Sequence, residues 1–121
     1  MKLKHEKIWM KDPEEHNFPA AQDYLELLYS KDRSAFLVNR LRQEPTIKKK
    51  AKDILRASRL PLLKKSNIHV KSNLKKVKNG EFLSPVLLVR NNTRLVIADG
   101  YHRVCAIYYL SEDLDIPCRL V

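Results

Sequence analysis

Apolar positions recur at helical spacing through the first two thirds of the chain, then change near Ser84 to short β-branched and leucine-rich runs. In HNFPAAQDYLELLYS, Asn17 is placed to cap a helix, Pro19 suits its first turn, and Ala21, Leu25 and Leu28 recur at helical spacing. A second helix is expected in DRSAFLVNRLRQE, with Asp32 as its cap and Pro45 closing it. PTIKKKAKDILRASRL restarts a helix with Ile47, Ala51, Ile54 and Leu55 on one face and the lysines largely on the other, and Pro61 stops it. A short helix follows LPLLKKSN, because Val70, Leu74 and Val77 are spaced i, i+4, i+7 and Asn79-Gly80 ends the pattern.

Beyond Ser84, PVLLVR and RLVIA flank NNT, whose asparagines tolerate tight-turn geometry, so the pattern predicts a β-hairpin. A helix from about Gly100 to Leu110 and a last strand in IPCRLV complete the order. The first sixteen residues are weakly patterned, with an extended piece at Lys7 to Met10. The expected class is α+β: N-terminal helices followed by a small mixed sheet that helices cover, in one domain over 1–121, with a helical N-terminal part at 17–60.

Composition narrows the classes. The chain has 121 residues, 31% of them charged, and no apolar run approaching the roughly 18 to 20 residues of a membrane span, so a cytosolic folded protein is expected, without a membrane partner. Cys105 and Cys118 sit in apolar patterns without zinc spacing and read as reduced core residues; the alternative for Cys105 is a reactive thiol in the first turns of a helix. Trp9 reads as core or interface, and Tyr108 and Tyr109 as packing residues.

The net charge of +10 is localised, because Lys48 to Lys78 holds twelve Lys or Arg against the single Asp53. Such a stretch, including Lys48, Lys49, Lys52, Arg56, Lys64 and Lys75, is either a surface for DNA or RNA or a solvated helix face.

The junction LVIADGYHRVCAIYYL carries the candidate chemistry. A strand that passes through Asp99-Gly100 into a helix leaves unpaired amides at the end of a sheet, and these attract anions. Gly100 permits close backbone approach, His102 can donate or accept a hydrogen bond, Arg103 presents a fork suited to phosphate, and Asp99 caps the helix or helps to hold a metal or a ribose hydroxyl. The alternative is an ordinary strand-to-helix turn with an exposed His-Arg pair, although cations there oppose the helix dipole.

The run LSPVLLVR to DIPCRLV, with IADGYHR at its centre, resembles the ParB/sulfiredoxin superfamily. IADGYHR is especially similar to the ADGHHR form of ParB-like serine kinase relatives and of small bacterial proteins. The resemblance covers about the last 55 residues, and NIHVKSNLKKVKNG falls where those families place a helix. It implies a ParB/sulfiredoxin-like fold over 61–121 and binding of nucleotide phosphates, from CTP, ATP or ADP, at the start of the signature helix. Gly100, His102 and Arg103 match phosphate-contacting positions, and Asp99 matches the ADG branch alone.

Tyr101 stands where sulfiredoxin has its nucleophilic cysteine, so sulfinic acid reduction is not expected, nor is centromere recognition through ParB's helix-turn-helix. The remaining expectation is a phosphotransferase or phosphohydrolase with Mg²⁺, in which His102 orients or protonates and Arg103 neutralises developing charge. Glu81 is a candidate general base for it. Lys64, Lys65, Ser66, Asn67 and His69 would face the same cleft, though Ser66 or Asn67 equally suits helix capping, and Arg90 is a further anion contact. The competing readings are a ParB-like nucleic-acid-binding module, with nuclease activity among what the superfamily implies, and a protein-interaction module. The apolar helix faces make a homodimer plausible.

Overall fold

A computed structural model describes residues 8–121; the extended piece expected at Lys7 to Met10 begins outside them. The described part of that piece is one parallel bridge, Trp9 to Leu83, flanked by hydrogen bonds from Met10 N to Leu83 O and from Leu83 N to Ile8 O. Trp9 is buried in the core, as its apolar bulk implied.

The element order is α1 (Asn17–Leu25), α2 (Lys31–Gln43), β1 (Ile47–Lys50), α3 (Ala51–Ser58), α4 (Ile68–Lys78), β2 (Val86–Arg90), β3 (Leu95–Asp99), α5 (Tyr101–Leu110) and β4 (Asp115–Leu120). The strands form one mixed sheet in the order β1-β4-β2-β3, with β2 parallel to β4 and the other pairs antiparallel. The class is α+β.

Side-chain alternation along β2 and β3 divides the core between the two faces of the sheet. Leu87, Val89, Val96 and Ala98 pack with Phe18, Ala21 and Leu25 of α1 and with Leu37, Val38 and Leu41 of α2. Val86, Leu88 and Ile97 face the other way, onto a cluster that includes Ile54 of α3, Val70 of α4 and Val104 to Ile107 of α5. The second face therefore carries every helix of the basic stretch and the helix that follows Asp-Gly.

Several local expectations change. Ile47 to Lys50 form a strand rather than helix, because antiparallel pairing with Cys118 to Asp115 of β4 satisfies their backbone at the sheet edge. The helix begins only at Ala51, whose amide donates to Leu114 O at 2.9 Å. Asn17 does not cap α1: His16 is the N-cap, and the Asn17 side chain instead accepts from the Ser84 hydroxyl in the buried layer beneath β2. Ser30 rather than Asp32 caps α2, its hydroxyl accepting from Arg33 N at 3.1 Å. Leu28 lies past the end of α1 and is 42% exposed. α3 ends at Arg59, in the left-handed region at φ 59°, before Pro61 is reached.

Ser84 Oγ also accepts from Glu14 N at 3.0 Å, so one hydroxyl joins the N-terminal segment, α1 and the approach to β2. Removing one partner strands a buried polar group. Asn17→Ala is expected to lower stability by about 1–3 kcal/mol, read as a lower urea midpoint with an unchanged slope.

Candidate functional site

The β3-α5 junction is a single residue long. β3 ends at Asp99, Gly100 takes φ 113° and ψ 15°, and α5 starts at Tyr101. A side chain is excluded there on two counts: the positive φ disfavours L residues, and a Cβ would lie 2.4 Å from Val86 Cγ1. The turn is pressed against β2. α5 is fixed beyond it by buried Val104, Cys105, Ala106 and Ile107, and by two tyrosine hydroxyls that hold the 61–63 loop. Tyr101 donates to Pro61 O and Tyr109 to Leu63 O, the latter at 2.6 Å.

The first amide that α5 pairs internally is that of Val104, which donates to Gly100 O at 3.0 Å, and no side chain caps the helix. The amides of Tyr101, His102 and Arg103 thus lack an intrahelical acceptor. Arg103 folds back one turn, and its Nη2 meets Asp99 Oδ2 at 2.9 Å with the side chains 14% and 23% exposed. Its Nε is buried without a partner.

Beside this turn lies a cleft of about 200 Å³ lined by His69, Asn73, Asp99, Gly100, His102 and Arg103. α4 supplies the first two. Asn67 is its N-cap, with Oδ1 accepting from His69 N and Val70 N at 2.9 and 3.2 Å, which explains Asn67 as a capping residue. Asn73, one turn after His69, donates to the His69 carbonyl at 3.0 Å. The His69 and His102 rings meet with centroids 4.8 Å apart. Burial, then His69 and Arg103, lower the His102 pKa below the ordinary imidazole value.

The sequence pointed to Asp99, Gly100, His102 and Arg103, and they stand together; Tyr101 is adjacent, its hydroxyl engaged by the loop. Lys65 lies elsewhere, in a groove of about 680 Å³ with Lys71, Lys75 and Lys78. Arg90 sits at the opposite end of the hairpin, paired with Leu95, in a separate small cleft with Tyr29 and Arg33. Lys64 and Glu81 are exposed and outside the cleft. Asn73 was missed; its signal is its i+4 spacing from His69 on one helix face.

The basic stretch divides over several surfaces. Lys48 and Lys49 are exposed on the edge strand β1. Lys52 and Arg56 border a wider cleft, about 790 Å³, but each is already paired, with Asp113 at 2.6 Å and with Asp53 at 3.4 Å.

Asp99 is the one carboxylate lining the small cleft, and Arg103 holds it. The residues therefore do not fit a protein-bound Mg²⁺, and Asp99 acts as the partner that orients the guanidinium. Phosphate oxygens fit better, since the Gly100 turn, Arg103 and two imidazole-bearing residues line one space. Both cysteine thiols are buried, and burial raises both pKa values, that of Cys118 to about 11, so neither is primed as a nucleophile. Among the described residues no helix is long and apolar enough to cross a membrane. No protein-family model, curated protein or solved structure matches the chain.

The depressed His102 pKa has a stability consequence. The unfolded chain protonates this imidazole more readily than the folded one, so folding is penalised as pH falls through the ordinary value near ~6.5. The urea-midpoint difference between wild type and His102→Gln should be constant above about pH 7.5 and move in favour of the variant below about pH 6.5. Parallel pH curves would contradict the assignment.

Proposed function

We propose that the cleft at the start of α5 binds the phosphate chain of a nucleotide or another phosphorylated ligand. The observation that carries this reading is Arg103: its guanidinium is largely buried at the cleft, tethered to Asp99 through one nitrogen, with Nε left without a partner beside unpaired helix amides. Arg has five N–H donors in a planar fork, and the tether fixes that fork while leaving donors for an anion. A cleft of about 200 Å³ suits a phosphate or pyrophosphate unit and leaves a nucleoside to lie outside it. The resemblance of IADGYHR to the ParB/sulfiredoxin signature supports the same placement of phosphate.

A nucleic-acid-binding reading is favoured by a separate observation, the convergence of Lys65, Lys71, Lys75 and Lys78 on one groove beside α4. The two readings predict opposite responses to mutation. Pyrophosphate, ATP, ADP and CTP are titrated in a thermal-shift assay, with and without Mg²⁺. A ligand at 100 times its dissociation constant stabilises by roughly 2.7 kcal/mol.

Binding should weaken at least about tenfold in Arg103→Ala and in the Asp99→Asn/Arg103→Gln double variant, which leaves no unpaired charge at the tether. The Lys71/Lys75/Lys78→Ala triple variant should bind almost as wild type. If instead the triple variant abolishes binding, with a steep salt dependence, and Arg103→Ala does not, the basic groove is the site.

A further inference from the structure

Two imidazoles reach the same cleft from different helices. His69 stands in the first turn of α4 and His102 in the first turn of α5, with ring planes 58° apart. His69 is hydrogen-bonded through its backbone, to Asn67 and from Asn73, so the helix start fixes where the ring begins. Its ring is not part of the core, because the residue is exposed while His102 is half-buried. Two imidazoles this close resist carrying two protons. One neutral and one protonated ring is the arrangement that general acid–base catalysis requires.

We propose that His69 and His102 are a general acid–base pair that cleaves RNA by internal transesterification, with the scissile phosphate held beside Arg103. The inference rests on phosphate binding at this cleft. Neutral His102 accepts the proton of the ribose 2′-hydroxyl as its oxygen attacks phosphorus. The P–O2′ bond forms, the P–O5′ bond breaks, and protonated His69 delivers its proton to the departing O5′. The products are a 2′,3′-cyclic phosphate and a 5′-hydroxyl, and the two imidazoles have exchanged protonation states, which solvent restores. No oxidant, reductant or co-reactant is needed. Arg103 and the open α5 amides face the charge that develops on the non-bridging oxygens.

RNA is preferred to DNA because it brings its own nucleophile. The cleft supplies a base, an acid and a cationic stabiliser, which is a complete set only when the 2′-hydroxyl is present. The lowered His102 pKa favours the base role, since the ring is neutral at physiological pH. The charged and titratable groups facing it are Asp99 from β3, Tyr101 and Arg103 from α5 and His69 from α4.

The test is incubation of the full chain with an end-labelled single-stranded RNA in EDTA, beside a DNA strand of the same sequence. RNA should be cut to cyclic-phosphate and 5′-hydroxyl ends with a bell-shaped pH profile, and DNA should stay intact. His69→Gln and His102→Gln should each slow cleavage by about 100- to 10,000-fold, with an unchanged circular-dichroism spectrum and pyrophosphate binding weakened far less than cleavage. Intact RNA with a wild-type protein that binds pyrophosphate overturns the catalytic pair and spares the phosphate site. Cleavage undiminished in the double His variant also overturns it. Absence of pyrophosphate binding removes both readings.

Discussion

Everything at the candidate site depends on the reversal at Gly100, where a strand becomes a helix within one residue. The turn can be this short only because position 100 lacks a Cβ, which lets the backbone lie against Val86 and swing into the left-handed region. A longer connection would place a loop over the first turn of α5. The short one leaves that turn open and puts Arg103 within reach of Asp99 at the end of the strand just completed. Packing, conformational freedom and site geometry are thus one constraint seen at three levels.

Electrostatic pairing separates the cations that hold the fold from those free to bind. Arg119 of β4 is consumed by structure: it donates to Thr46, to the carbonyls of Leu41 and Arg42, and to Asp12. Lys52 and Arg56 are paired on the surface, where such bridges contribute little to stability and also offer little to a ligand. Arg103 differs because it is largely buried and paired through one nitrogen, which under the proposed function would offer an arriving anion a pre-oriented donor rather than a solvated one.

The fold was legible where periodicity and turn chemistry agree. The hairpin, α5, the last strand and the termination of α4 at Asn79-Gly80 follow from β-branched runs, helical spacing and glycine. The edge strand β1 was not legible, because IKKK has good helix formers and its state is decided by β4, some 70 residues away in sequence. The capping errors have the same origin. Asn17 can cap a helix but is drawn instead to Ser84, a partner that local reasoning does not see. At the candidate site, Asp99, Gly100, His102 and Arg103 fall within five successive positions, so their proximity follows from the sequence alone. His69 was expected at the same cleft only through the resemblance; its ring contact with His102 depends on α4 and α5 packing with their first turns side by side, which local pattern does not carry.

The most direct measurement of the central claim is a backbone amide and imidazole NMR titration of the protein with pyrophosphate. Saturable shifts are expected to concentrate at Gly100, Tyr101, His102 and Arg103, with the His69 and His102 side-chain signals moving at the same concentration. Shifts confined to the lysine-bearing surfaces of α3 and α4, with the amides of residues 100–103 unmoved, would contradict it.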